Sequence, residues 1–258
     1  MSHSQDTRWE NALVTGASSG IGRAVAKAIA ARGTRVFVAA RRVEMLESLV
    51  AEIAAAGGRA EALAMDVADA DAHHDAVRAL DARAPLDLVV ANAGVSGTSS
   101  GASIDWRVVR RCLDVNLTGA AATICGALPG MVARNRGHVS AVSSLAGWRG
   151  LPGSAAYSAS KAGIIAFLES LRVDLEGTGV AVTAICPGFV KTEMTAKMKN
   201  LPFLMDAERA AEIIVGSLVT RDWMCAFPTP TALGMRALTW VPSSLYHALG
   251  GRFGRRAR

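Results

Sequence analysis

The sequence predicts an α/β fold, a doubly wound parallel sheet in a single domain, and three observations carry that prediction. Short apolar runs without polar alternation recur along the chain, alanine-rich stretches of helical periodicity separate them, and a glycine-rich turn follows the first run. Strands of that kind suit burial on both faces, and crossover helices set them parallel.

Taken in order, Ala12–Val14 is the first strand and Ile21–Ala31 the first helix; Val36–Ala40 and Val43–Ala56 repeat the unit. Ala60–Met65 and Leu86–Ala91 read as the third and fourth strands, and the long apolar segment Asp105–Arg134 precedes a fifth at His138–Val142. Ala155–Leu175 is the next helix and Val180–Ile185 the sixth strand. Beyond about residue 190 the rhythm weakens. Pro187–Met205 reads as an irregular segment with a short helix, Asp206–Thr220 as a helix and Met224–Phe227 as a last strand.

With 258 residues, 51% hydrophobic and 19% charged, the chain can bury one large core, which excludes a disordered protein. Its start, Met-Ser-His-Ser-Gln-Asp, has no basic segment leading into an apolar run, so a cytoplasmic location is expected. Cys112, Cys125, Cys186 and Cys225 show no C-x-x-C spacing and read as reduced core residues. Of the net charge of +6, five charges come from Arg236, Arg252, Arg255, Arg256 and Arg258, in a stretch from Trp223 that holds no Asp, Glu or Lys. A nucleic-acid binder would carry a basic face on its folded body, so no nucleic-acid partner is expected. Thr229 to Leu249 is interrupted by Pro230, Arg236, Pro242 and His247, which excludes a bilayer-spanning helix there.

Three motifs carry chemistry. Thr15-Gly16-Ala17-Ser18-Ser19-Gly20-Ile21-Gly22 lies between a strand and a helix, where glycines allow a tight turn and free N–H groups favour a pyrophosphate; the alternative is a tight structural turn. At the end of the second strand, where a carboxylate would hold an adenosine ribose, stand Arg41 and Arg42, suited to a 2′-phosphate and hence to NADP; the alternative is a solvated pair opening the next helix. Tyr157 and Lys161 are four apart at the start of a helix, which puts phenol and ammonium on one face.

These motifs, with A-N-A-G at Ala91–Gly94, V-N-L at Val115–Leu117, V-S-S at Val142–Ser144 and C-P-G at Cys186–Gly188, stand in the order found in short-chain dehydrogenases/reductases. The chain resembles that family from about residue 10 to about 195. The resemblance implies a Rossmann-type fold, Tyr157 as acid/base, Lys161 as its electrostatic partner and nicotinamide-ribose ligand, Ser144 as the carbonyl-orienting hydroxyl and Asn116 as the anchor of a relay water. Ser144 rather than Ser143 is the match, 13 residues before Tyr157. Gly16, Ser18, Ser19, Gly20 and Ile21 would hold the pyrophosphate; Asp66 and Val67 would contact the adenine; Asn92, Ala93 and Gly94 would line the cofactor site at the end of the fourth strand; Pro187, Gly188, Val190 and Thr192 would flank the nicotinamide. For Asp66 and Asn92, loop capping beside the cofactor is the equal alternative. Ala91 departs from the usual N-N-A-G.

The expected function is therefore hydride transfer between NADP(H) and a hydrophobic carbonyl compound or secondary alcohol, with no metal. A catalytically silent redox sensor and an NAD-dependent alcohol dehydrogenase are the alternatives. Val95, Ala146, Trp148, Leu151, Phe189, Met194 and Met198 are candidate pocket residues. Residues 1–8 are expected to be a flexible terminus, 9–228 the catalytic domain and 229–258 a C-terminal extension that closes the pocket or packs on a subunit; membrane-surface contact is its less favoured role. Homodimers or homotetramers are expected, because the family's matching helices pair between subunits.

Overall fold

The computed structural model describes residues 9–97, 103–196 and 198–248. Seven parallel strands form one sheet in the order β3-β2-β1-β4-β5-β6-β7. They are β1 (Asn11–Thr15), β2 (Arg35–Ala40), β3 (Arg59–Ala64), β4 (Leu88–Ala91), β5 (Gly137–Val142), β6 (Val180–Pro187) and β7 (Met224–Phe227). The order reverses at β1, whose neighbours are β2 and β4. That switch point leaves a crevice at the carboxyl ends of the strands, where ligands of such sheets bind.

Helices cover both faces: α1 (Gly20–Ala30), α2 (Val43–Ala55), α3 (Ala70–Arg83), α4 (Trp106–Leu113), α5 (Gly119–Ala133), α6 (Ala155–Asp174), α7 (Ala207–Thr220) and α8 (Thr229–Trp240). Strand alternation divides the core in two. Val14, Val36 and Val38 pack with Val25, Ile29, Leu49 and Ile214 on one face, while Leu13 and Phe37 pack with Leu80, Ile124, Ile164 and Leu168 on the other.

Three departures from the sequence reading have local causes. Leu86 precedes β4, because its N–H is taken by Asp81 Oδ1 at 2.8 Å rather than by a neighbouring strand. Within Asp105–Arg134, a π-helical turn over Asp114–Thr118 that includes Asn116 separates α4 from α5. No helix forms in Pro187–Met205 among the described residues. The Thr195 hydroxyl donates to the Val190 carbonyl at 2.7 Å and accepts from the Thr192 N–H at 3.1 Å, bonds that hold the segment in turns. Finally, Pro230 opens α8 instead of interrupting it, since a first-turn residue needs no N–H. After Pro242, residues 243–248 are again helical. The N-terminal 1–8 and the basic stretch Gly250–Arg258 lie outside the described residues.

Candidate active site

The carboxyl ends of the strands border one cavity of about 850 Å³. Gly16, Ser18, Ser19, Gly20 and Ile21 line its floor, Arg41, Arg42, Asp66 and Val67 one end, and Asn92, Ala93 and Gly94 its middle. Ser144, Tyr157 and Lys161 face the same space, as do Pro187, Gly188, Val190 and Thr192. Asn116 lies behind the wall.

The turn after β1 fits a phosphate group. Gly16 has a φ of 65°, and a Cβ there would sit 2.7 Å from Ala93 Cα, so only glycine lets the turn lie on the end of β4. Ser19 caps α1 without a side-chain hydrogen bond to the helix, which leaves first-turn N–H groups to attract an anion. The Asn92 amide braces the turn from below, donating to the Thr15 carbonyl at 2.9 Å and the Gly16 carbonyl at 3.2 Å. Its side chain therefore works as a loop clasp. Asp66 caps its own loop, Oδ1 accepting from the Ala68 N–H at 3.0 Å, and its Oδ2 lies 3.7 Å from Arg41 Nη1. Arg42 turns inward to Ser18 and Ser19 and pairs with Glu193. Across the mouth, Thr192 touches the turn, since a Cβ on Gly20 would meet Thr192 Cγ2 at 2.8 Å.

At the other end, the first two turns of α6 aim Tyr157 and Lys161 at the end of β5. Lys161 is 3% exposed and donates from Nζ to the Val142 carbonyl at 2.7 Å. Burial lowers its ammonium pKa to about 8. Burial also raises the Tyr157 phenol above its usual value, and the Ser144 hydroxyl beside it pulls the other way. The two serines divide their work. Ser143 Oγ is spent on the Lys161 carbonyl at 2.7 Å, whereas Ser144 Oγ accepts from the Ala146 N–H at 3.1 Å, makes a loose 3.4 Å contact with the Pro187 carbonyl and is also hydrogen-bonded to Tyr157. Asn116 is fully engaged: Oδ1 accepts from the Val95 N–H at 2.7 Å, and Nδ2 donates to the Val95 carbonyl and to Ser160 Oγ. Its amide thus fixes the loop after β4. A Cβ on Gly94 would lie 3.3 Å from Asn116 Oδ1 and 3.5 Å from Lys161 Nζ, which sets the three side by side.

Of the candidate pocket residues, Val95, Ala146, Leu151, Phe189, Met194 and Met198 line the cavity. Trp148 does not. It packs beside Leu145, Cys186 and Ala232 in a small separate core, a direction set by the arrival of α8 that no local pattern reveals. The sequence reading also missed Thr231 and Met235, which bring α8 into the cavity wall. Their spacing of four was the available signal. Among the cysteines, Cys112, Cys186 and Cys225 are buried, but Cys125 is exposed on α5.

A family model for short chain dehydrogenases matches residues 10–201. An uncharacterized oxidoreductase of Myxococcus xanthus is 52% identical over 246 residues, 95% of this chain and 97% of that protein. A 3-oxoacyl-[acyl-carrier-protein] reductase of Synechocystis sp. is 39% identical over 198 residues, 75% of this chain and 79% of that one. Among solved structures, a metagenomic short-chain oxidoreductase in complex with NADP superposes with a TM-score of 0.73 at 31% identity, covering 84% of this chain and 95% of that chain. The fold, the site and these matches agree: the chain belongs to the short-chain dehydrogenase/reductase family of oxidoreductases.

Proposed function

We propose that this chain moves a hydride between NADP(H) and a hydrophobic carbonyl compound or secondary alcohol, with Tyr157 as the proton donor and acceptor. The observation that carries the reading is one cavity with Arg41 and Arg42 at one end and Ser144, Tyr157 and Lys161 together towards the other. The complex of a similar oxidoreductase with NADP supports the choice of cofactor.

The dinucleotide, when bound, supplies the hydride for reduction or takes it in oxidation. Tyr157 donates its phenolic proton to the carbonyl oxygen, and the Ser144 hydroxyl stabilises the negative charge growing there. Lys161, protonated, stabilises the phenolate that remains. Asn116 positions the Val95 loop beside Lys161. Around the reacting atoms, Val95, Leu151, Phe189 and Met194 present apolar surface suited to an aliphatic or aromatic substituent. Residues 9–228 make up the catalytic unit, and α8 of the extension that follows borders the substrate side.

Screening ketones, aldehydes and alcohols of graded hydrophobicity for NADPH oxidation or NADP reduction tests this reading. Turnover that rises with substrate hydrophobicity supports it; activity confined to small polar sugars contradicts the assigned substrate class.

A further inference from the structure

The loop from β5 to α6 runs between Ser144 and Tyr157, and its middle is tied to the far end of α8 and to the residues after it. Arg149 Nη1 donates to the Thr239 carbonyl at 3.3 Å, and the guanidinium carbon stands 4.5 Å from the centre of the Tyr246 ring. The Tyr246 hydroxyl donates in turn to the Gly150 carbonyl at 2.5 Å. Two consecutive loop residues thus grip both sides of Pro242, Thr239 before it in α8 and Tyr246 after it in the helical stretch 243–248.

Each contact has a physical reason. Thr239 lies in the last turn of α8, where backbone carbonyls have no partner within the helix; a guanidinium satisfies one of them and suits the negative end of the helix dipole. The same cation over the face of Tyr246 is held by the ring quadrupole. Arg149 and Tyr246 are both half-buried, so the pair is less screened by water and salt than an exposed one.

What this clasp holds is a wall of the cavity. Thr231 and Met235, one turn apart on α8, line it, and Met235 also packs against the cluster of Leu145, Cys186 and Ala232. The start of α8 is fixed separately: the Gly188 N–H donates to the Phe227 carbonyl at 2.7 Å, and a Cβ on Gly188 would meet Pro228 Cδ at 3.1 Å. The outer face, with Leu233, Arg236, Ala237 and Trp240, is exposed, so no described residue backs the helix from outside. Its far end depends on Arg149 and Tyr246.

We propose that Arg149 and Tyr246 are positioning residues that set how large a substrate the cavity accepts. Neither lines the cavity; by fixing the far end of α8 they hold Met235 against the apolar group of the bound carbonyl compound or alcohol. A compact group fits beneath the clasped helix, and a bulky one has to displace it. This inference rests on the function proposed above and narrows its substrate class by size.

The test is reduction by NADPH of methyl ketones with tails of increasing length and branching, by the full chain and its variants. Arg149→Ala and Tyr246→Ala should each raise the ratio of kcat/KM for the bulkiest ketone to that for the most compact by about tenfold, mainly through KM. The NADPH dissociation constant and the kcat on the compact ketone should stay within about twofold of the wild type. Tyr246→Phe keeps the ring beside Arg149 and loses only the bond to Gly150, so it should shift the ratio less in the same direction; it also serves if the alanine variants fold poorly. Met235→Ala should raise the ratio by itself, and adding Arg149→Ala to it should change little, because Arg149 acts through Met235. Equal ratios in the wild type and the clasp variants, or fully additive effects of Arg149→Ala and Met235→Ala, overturn the proposal. So does a fall in kcat on every ketone alike, which would make the clasp a support for the Ser144 loop. A wild type that reduces none of the ketones counts against the proposed function, and hydrogen exchange then reads the clasp. Amides of α8 beyond Met235 should exchange about tenfold faster in Arg149→Ala while those of β5 and α6 do not. Unchanged exchange in α8 overturns the positioning role.

Discussion

Arg42 Nη2 lies 2.8 Å from Ser19 Oγ and 3.0 Å from Ser18 Oγ, so a guanidinium from the end of β2 is tied to the turn after β1. Its other contact, Glu193, and the Arg41 contact with Asp66 are both exposed pairs of little energetic worth. Either arginine can exchange such a partner for a phosphate dianion at small cost. Arg41 is the freer of the two, since its one ion pair is the long contact with Asp66.

NADPH should therefore bind at least tenfold more tightly than NADH, about 1.4 kcal/mol. Arg41→Asp should narrow or reverse that ratio in a fluorescence titration, while Arg78→Ala, on the exposed side of α3, should leave it unchanged. Equal dissociation constants for the wild type would remove the phosphate role from both arginines.

The pH profile follows from the burial of Tyr157 and Lys161. With the phenol pKa raised and the ammonium pKa lowered to about 8, Tyr157 holds its proton at neutral pH and Lys161 is largely charged. Reduction consumes the phenolic proton, so its rate should be level from about pH 6 to 7.5 and decline above about 8 as Lys161 and then Tyr157 deprotonate. Alcohol oxidation needs the phenolate and should instead climb with pH across that range. A reduction rate that rises with pH would be inconsistent with Tyr157 as proton donor.

Acid stability should hinge on His138. Its Nε2 lies 2.8 Å from Thr183 Oγ1, whose own hydrogen goes to the Asp222 carbonyl at 2.6 Å, so Nε2 donates and the ring is neutral. Burial, then Arg221, lowers its pKa from 6.5 to about 3. Between those values the unfolded chain binds a proton that the folded chain refuses, so stability present above pH 6.5 is lost as pH falls. The loss is roughly 1.4 kcal/mol per pH unit. His138→Gln should be less stable at pH 7 by about 1–2 kcal/mol, yet its denaturation midpoint should fall less between pH 6.5 and 4.5. Parallel curves for the two chains would assign the acid sensitivity elsewhere.

Assembly is expected from α4, α5 and α6, which leave Trp106, Val132 and Val173 exposed. A dimer or tetramer buries such residues at a symmetric interface. Light scattering at micromolar concentration should give two or four times the 26.8 kDa chain mass, and Val173→Asp should shift it towards one.

Much of this was legible in the sequence where local pattern and local structure coincide. The Tyr157 and Lys161 spacing placed both on one face of α6, and the glycines around Ser18 and Ser19 marked the turn that a strand and a helix enclose. The 13-residue interval to Tyr157 picked out Ser144, and the hydrogen bond of Ser143 to the Lys161 carbonyl explains why its neighbour is left for the cavity. What stayed hidden depends on contacts distant in sequence. Trp148 turns away because α8 packs behind it, Asn116 spends its amide on Val95, and Thr195 holds turns where a short helix was expected. Pro230 misled as a breaker because its position within the first turn of α8 cannot be known until the helix start is.

The most direct test of the account is turnover and NADPH binding of Tyr157→Phe on the best carbonyl substrate from the screen. The ring, its packing and the Lys161 contact with Val142 are retained, and only the transferable proton is removed. Its kcat should fall about a thousandfold or more, with the NADPH dissociation constant within about threefold of the wild type. A variant that keeps near-normal kcat would contradict Tyr157 as the acid/base and move the proton transfer to another group.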